Sequence, residues 1–407
     1  MAGVLQRADR RAAKRLHSVA DARRAARRRL PPVVFDYVDG AADDEVTMRR
    51  NESAFAEVVL SPRMASGAFE PDLGVSVLGT SIDMPVMLAP CGLVRLVHPD
   101  GASGAARAAH ACGTLSVLST VAGSPVDEVA EQSGAPMWFQ LYAAGGRPAA
   151  DELCARALGA GVSVLVVTVD TPVLGNRERD VRNGIPTPLR IDARNMVPLG
   201  LQVLSRPRWA ARLAGDGVRL SRRGAGGAGG AGGAGGAGGA GMLQAVASPF
   251  SWDDVTYLRE RWPGKLVVKG VLSGHDARRS VDVGADGVIV SNHGGRQLDG
   301  APAAIEVVSE VAQAVGGAAE VYMDGGVRRG SHVVAALACG ARAVLIGRPY
   351  LYGLAVGGEE GVLRVLEILR AEMRRTMVLL GCPSVAELGD GWLRRPGHEG
   401  HGAGDPA

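Results

Sequence analysis

Residues 288–299 read VIVSNHGGRQLD. An apolar run of β-formers breaks into polar residues and two glycines, which predicts a buried parallel strand delivering Asn292, His293, Arg296 and Gln297 to the loop beyond its C-terminal end. That end is where α/β folds carry their chemistry. A histidine titrates near neutral pH and can take a proton, whereas an arginine stays charged and can grip a carboxylate with two parallel hydrogen bonds. Together they suggest proton abstraction from a bound anionic acid. A packed histidine beside a surface arginine is the plainer alternative.

Similar runs recur on both sides. VMLAP (86–90), LSVLS (115–119), MWFQLY (137–142), VSVLVVTVD (162–170) and LVVKG (266–270) precede the stretch, and VYMDGG (321–326) and AVLIGR (343–348) follow it, each leading into an Ala-rich helical or polar segment. Eight apolar strands alternating with helices predict an α/β chain folded as a single (β/α)8 TIM barrel. Gln140, Tyr142, Thr168, Asp170, Lys269, His293 and Asp324 lie at or just past predicted strand ends, so closure would bring them to one mouth. DGGVRRG (324–330) and IGRP (346–349) add glycines, Arg328 and Arg348 at the last two strand ends, where bare amides and arginines can hold a phosphate. Lys269 at an inward strand end can stabilise negative charge on a reduced flavin ring, with Gln140 and Thr168 at the ring edges. A Schiff-base lysine and an ordinary ion pair are the competing roles.

Composition sets the limits. The 407 residues, 46% hydrophobic, suffice for one large barrel with insertions. The expected division is a basic N-terminal helical segment and lead-in at 1–84, a barrel at 85–388 interrupted by a flexible insertion at 200–247, and a disordered tail at 389–407. Five scattered cysteines without metal-ligand spacing argue for reduced thiols in a cytoplasmic compartment, with no disulfide framework and no metal site. The net charge of +3 hides ten Lys or Arg in the first thirty residues. Nucleic-acid or membrane contact is one reading of that segment; the preferred one is a helix over 18–29 with a solvated basic face, N-capped by Ser18 and ended by Pro31 and Pro32, and no nucleic-acid partner. Residues 33–55 read as flanking helices in which the Tyr37 phenol can meet an anionic ligand or simply pack. The Gly/Ala repeat at 221–241 predicts a tether of high chain entropy. Before it, Trp209, Leu213, Val218 and Leu220 among six arginines suit either an anionic membrane or a lid.

SNHGGRQLDG (291–300), TVDTPVLGNRERD (168–180), FQLY (139–142), VKG (268–270), DGGVRRG and IGRP, in this order along the fold, resemble the FMN-dependent L-2-hydroxy acid oxidase and dehydrogenase family over 31–388, the insertion excepted. The resemblance implies FMN as cofactor and oxidation of an (S)-2-hydroxy acid to the 2-oxo acid, with electrons passed to oxygen or to a quinone or other carrier. It implies His293 as base, Asp170 as the carboxylate that orients it, and Tyr142 near the substrate hydroxyl. Arg296 and Arg177 with Tyr37 would hold the substrate carboxylate. Ser119, Gln140, Thr168, Lys269 and Ser291 would surround the flavin ring, and Asp324, Gly326, Arg328, Gly347 and Arg348 the ribityl and phosphate. Gly92 and Val121 stand where plant glycolate oxidases carry bulkier residues, which favours a mandelate-like acid, with lactate next; Cys91 replaces a usual threonine. SRPRW (205–209) resembles the start of the segment that attaches membrane-bound relatives to the bilayer, so peripheral contact through 205–223 at the inner face of the plasma membrane is implied, as is a homotetramer. A cofactor-binding barrel with a regulatory role is the alternative, against which His293, Asp170 and Arg296 together argue. A phosphosugar isomerase would leave the carboxylate-directed arginines unexplained.

Overall fold

The computed structural model describes residues 2–67, 69–142, 145–183, 200–224 and 250–394. A short antiparallel hairpin, β1 (Val75–Val77) and β2 (Thr80–Ile82), precedes the barrel. The barrel strands are β3 (Val86–Leu88), β4 (Ser116–Ser119), β5 (Met137–Leu141), β6 (Val164–Thr168), β7 (Lys265–Val271), β8 (Gly287–Val290), β9 (Glu320–Asp324) and β10 (Ala343–Ile346). All pair in parallel, and β10 closes on β3. The predicted barrel is present, each strand inside or within a residue of its apolar run.

Side-chain alternation divides the strands between two cores. Met87, Val117, Trp138, Val166, Val267, Ile289, Tyr322 and Leu345 pack into the barrel interior, where the Trp138 and Tyr322 rings meet edge to face at 5.4 Å. Their neighbours Leu88, Leu118, Phe139, Val167, Val268, Val290, Met323 and Ile346 pack into the outer shell with the helices. Burial on both faces is why the strands read as unbroken apolar runs. The hairpin adds Val77 and Ile82 to the inner cluster, and Leu78 N donates to Glu320 Oε2 at 3.0 Å. Strands this short left no readable alternation in the sequence.

Four helices lead in: α1 (Ala2–Ala13), α2 (Val19–Arg29), α3 (Pro32–Asp39) and α4 (Val46–Ser53). Ser18 caps α2 by accepting from Asp21 N at 3.1 Å, as predicted. Val19, Ala22 and Ala26 are buried, and α2 packs on the long helix Arg348–Leu380. The basic face is not wholly solvated. Arg23 grips buried Asp39 with two bonds, 2.6 and 2.8 Å; burial opposes the carboxylate charge, but these bonds and one from Tyr352 outweigh it and hold Asp39 down to about 2.

Two expectations of disorder are corrected in part. The helix Pro207–Gly224 opens the insertion and is docked: Trp209 Nε1 donates to Leu96 O at 2.8 Å, Arg206 Nε to Leu30 O at 3.1 Å, and Arg212 Nη2 to both Asp9 oxygens at 2.6 and 2.7 Å. These partners are distant in sequence, so composition did not show them. The Gly/Ala repeat beyond 224 lies outside the described residues. At the C-terminus, Trp392 is buried with Arg63 stacked 3.9 Å from its ring centroid, and Leu393 bridges to Leu60. Residues 389–394 are therefore ordered, and 395–407 lie outside the described residues. Among the described residues no helix is long and apolar enough to cross a membrane.

The fully enclosed Trp138 gives a stability prediction. Trp138→Ala leaves a cavity at the barrel centre and should cost about 3–5 kcal/mol, read as a lowered denaturant midpoint. An unchanged midpoint would show that the interior can collapse around the loss.

Candidate active site

The same alternation that builds the inner core also builds the mouth. Two residues beyond the inward Val117, Trp138, Val166, Val267, Ile289 and Tyr322 stand Ser119, Gln140, Thr168, Lys269, Ser291 and Asp324. All six are buried. They are also bonded to one another: Ser119 Oγ donates to Gln140 Oε1 (2.7 Å), Gln140 Nε2 to Thr168 Oγ1 (2.9 Å) and Lys269 Nζ to Ser291 Oγ (2.8 Å). Lys269 Nζ also lies 3.1 Å from Asp324 Oδ2. Burial opposes the Lys269 charge, but Asp324 and Asp170 outweigh it and raise its pKa, so it is an ammonium at neutral pH. Schiff-base chemistry, which needs a free amine, is disfavoured there.

A further step of two residues reaches Val121, Tyr142, Asp170 and His293. His293 Nδ1 lies 3.0 and 3.2 Å from the Asp170 oxygens, and Nε2 is 3.3 Å from Tyr142 Oη. Burial would raise Asp170, but the His293 contact and Lys269 outweigh it and keep the carboxylate ionised. An ionised carboxylate only accepts, so Nδ1 carries the imidazole proton and Nε2 keeps its lone pair. Burial lowers the His293 pKa below the ordinary 6.5, and Asp170 only partly offsets this. The ring is a free base at neutral pH. Burial raises the Tyr142 phenol, with Asp170 adding to the effect, and keeps it protonated. Gly270 makes the arrangement possible: it sits at the irregularity between β7 and β8 with φ 110°, and a Cβ there would fall 2.6 Å from Asp170 Cβ.

Three arginines complete the site. Arg296 Nη1 donates to the carbonyls of Tyr37 (2.7 Å) and Gly40 (2.9 Å), and its guanidinium lies 5.1 Å from the Tyr37 ring centroid. Arg348 donates to the carbonyls of Gly294 (2.9 Å) and Gly40 (2.8 Å). Neither these two nor Arg177 forms an ion pair with a described carboxylate. Burial pushes Arg177 down to about 10, with Arg296 adding to the effect, and burial pushes Arg348 down to about 10; both remain cations at neutral pH. Arg328 differs, since Glu52 holds it at 2.8 Å.

These groups surround a cleft of about 1070 Å³ including its open mouth. Its wall includes Tyr37, Gly92, Val121, Tyr142, Arg177, Lys269, His293, Arg296, Asp324, Gly326, Arg328, Gly347 and Arg348, so these expected site residues are brought together. Ser119, Gln140, Thr168, Ser291 and Asp170 stand behind the wall as the layer that fixes it. The sequence reading missed Leu174, which packs with Val121 and Tyr142, and Cys91, noted only as a departure, is in the wall. Leu174 lay within the quoted 168–180 motif but carries no chemistry to draw notice. Asp324 Oδ1, Arg177 Nε and Arg348 Nε are buried without a partner. A phosphate-bearing ring cofactor together with an anionic substrate fits both the orphaned polar atoms and the excess of half-buried positive charge.

Comparison with known proteins agrees. The model of the FMN-dependent dehydrogenase family matches residues 26–395. The chain is 44% identical to an L-lactate dehydrogenase of Caulobacter vibrioides over 374 residues, 92% of this chain and 96% of that one. It is 39% identical to an L-lactate oxidase of Nostoc sp. over 373 residues, 90% and 95% of the two chains. The structure of the monotopic membrane protein (S)-mandelate dehydrogenase superposes with a TM-score of 0.81 at 36% identity, covering 94% of this chain and all 100% of that one. With the barrel, the layered mouth and these likenesses in agreement, the chain belongs to the family of FMN-dependent dehydrogenases.

Proposed function

We propose that the protein oxidises an (S)-2-hydroxy acid to the 2-oxo acid, with a bulky mandelate-like acid favoured and lactate next. The observation that carries this is the neutral His293 Nε2 lone pair facing the same cleft as Arg177 and Arg296, two cations without a carboxylate partner. Lys269, Asp324, Gly326, Arg328, Gly347 and Arg348 would hold FMN, with Ser119, Gln140, Thr168 and Ser291 behind them. The bound cofactor supplies the two-electron sink.

The chain's own residues supply the rest. Arg296 and Arg177 clamp the substrate carboxylate, with the Tyr37 hydroxyl beside them, and fix C2 toward His293. Conversion to the oxo acid removes two protons and two electrons: His293 takes one proton, and both electrons and the other proton go to FMN when it is bound. The resulting imidazolium gains Asp170 as a counter-ion in a desolvated site, which favours the state formed in the reaction. Tyr142 stays protonated and can donate to the substrate oxygen.

Pocket width supports the bulky acid. A Cβ at Gly92 would stand 3.1 Å from both Tyr37 Oη and Val121 Cγ2, so glycine there keeps open the space between them. The relatives include both a dehydrogenase and an oxidase, and recovery of the flavin in air assigns the acceptor. The similarity to a monotopic membrane protein supports peripheral membrane contact through 205–223. Since Trp209 and Arg212 are used inward, such contact falls to the outer side of the helix.

The direct test is anaerobic mixing with (S)-mandelate and, separately, L-lactate, followed by flavin absorbance. Bleaching by either supports hydroxy-acid oxidation, and persistent colour with both removes the substrate assignment. His293→Ala should retain FMN and slow bleaching by roughly 10²–10⁴-fold; near-normal bleaching removes His293 as base.

The pH profile has a definite sign. Because burial holds His293 below 6.5 and the free base is the active form, the reduction rate should be level above neutrality and fall as pH drops through a midpoint below 6.5. A midpoint above 6.5 contradicts the assigned protonation state. Gly92→Ala should discriminate against mandelate relative to lactate by roughly tenfold or more in kcat/KM, a methyl-sized effect in a packed pocket. Equal effects on both acids would place Gly92 outside the substrate space.

A further inference from the structure

We infer that Asn51, on α4 and outside the cleft wall, is a positioning residue that acts on the base through Asn292. This rests on His293 being the base. The backbone at that base is strained: His293, Gly294 and Gly295 follow one another at φ 59°, 66° and 75°, and a histidine rarely adopts the left-handed region. Such a conformation persists only where neighbours over-determine it.

Asn292 immediately precedes the strained residues and its amide is fully used. Its Oδ1 accepts from Gly295 N (3.1 Å) and Asn51 Nδ2 (2.8 Å), while its Nδ2 donates to Asn51 Oδ1 (2.8 Å) and Pro302 O (2.9 Å). Asn51 therefore supplies one donor and one acceptor in a reciprocal pair. Both side chains are buried, 2% and 4% exposed, so water cannot replace a lost partner cheaply.

The backbone of α4 reinforces the clamp. A Cβ on Gly295 would fall 2.7 Å from Met48 N, and one on Gly326 would collide with the Asn51 carbonyl. One helix thus lies against both the catalytic loop after β8 and the glycine turn after β9. Thr47 adds a tie, with its N donating to Asp299 Oδ1 at 2.7 Å and its Oγ1 accepting from Gly300 N at 2.7 Å. Removing the Asn51 amide leaves the strand ends in place but frees the turn that presents the imidazole.

The test uses the FMN-loaded enzyme and the better of the two acids. Asn51→Ala should lower the anaerobic flavin-reduction rate constant at least tenfold while the substrate dissociation constant changes less than threefold, a split that loss of folded protein would not give. In the background of Asn292→Ala, Asn51→Ala should add less than twofold, because its partner is already gone. As a second readout, protease cleavage in 292–300 of the FMN-free protein should quicken in Asn51→Ala more than cleavage elsewhere. Should Asn51→Ala fail to fold, Asn51→Asp, which keeps the acceptor and loses the donor, is read by the same measures. A reduction rate within twofold of the parent, or a loss that multiplies independently with that of Asn292→Ala, overturns the proposal. His293→Ala run alongside separates the two readings: if it reduces normally the base assignment fails, and if it is inactive while Asn51→Ala is normal only the role of Asn51 fails.

Discussion

The site depends on one property of a parallel strand: side chains two residues apart share a face. In a closed barrel whose outer face is committed to helices, every second residue points to the axis, and the staggered strands stack these residues in layers, each drawn from alternate strands. The lower layers are apolar because they are sealed, from the Trp138–Tyr322 contact down to the hairpin at Val77 and Ile82. At the first layer open to the mouth the same positions turn polar, from Ser119 to Asp324, and two residues further come Val121, Tyr142, Asp170 and His293. The first of these layers closes the strands and the second stands on the loops just beyond them, so the strands place the first and the loop conformations, including the left-handed turn at His293, place the second.

Charge sets the mouth apart from the rest of the chain. A buried ion is costly unless paired, and Asp39 shows the usual solution, taking Arg23, Arg179 and Tyr352 together. At the mouth the pattern reverses. Arg296 and Arg348 donate to backbone carbonyls, and neither they nor Arg177 pairs directly with a described carboxylate, although Asp180 acts on Arg177 and Asp39 on Arg348 from further off. Burial pushes Arg177 and Arg348 down to about 10 without removing their protons at neutral pH. On the proposed function, this excess of positive charge is what an anionic ligand would relieve. Lys269 stands apart, because Asp324 compensates it within the chain and keeps it charged.

Much of this was legible in the chain because runs and their endings carry both fold and site. The eight apolar stretches marked the strands, and the residue type at each ending marked the mouth. What escaped notice depended on contacts across long sequence separation or on backbone conformation. Trp209 reads as a membrane-facing aromatic until Leu96 is seen to accept its indole proton, and Arg212 as a surface cation until Asp9 is found beneath it. Asn51 is one amide on a polar helix, and its significance lies in Asn292, 241 residues away. The left-handed turn at His293 left no local mark, since glycines explain the next two residues but not the histidine. Gly270 was visible only as part of a motif; its reason is the Asp170 side chain that occupies the space a Cβ would need.

The division of labour among strands also bears on how such a site can change substrate without losing its chemistry. His293 and Asp170 follow β8 and β6, the buried ammonium lies on β7 and its counter-ion on β9. Gly92 and Val121 follow β3 and β4, with Gly92 set against Tyr37 and Val121 packed on Tyr142. A change in side-chain volume at Gly92 acts on the space between Tyr37 and Val121, while the His293 imidazole is held by Asp170 and its backbone by Ser291. Cleft width and the His293–Asp170 pair are thus set at different strand ends, with Tyr142, packed on Val121 and 3.3 Å from His293 Nε2, as the link between them. Cys91, half-buried in the cleft wall and raised in pKa by desolvation, is a neutral thiol; it adds volume there without adding charge.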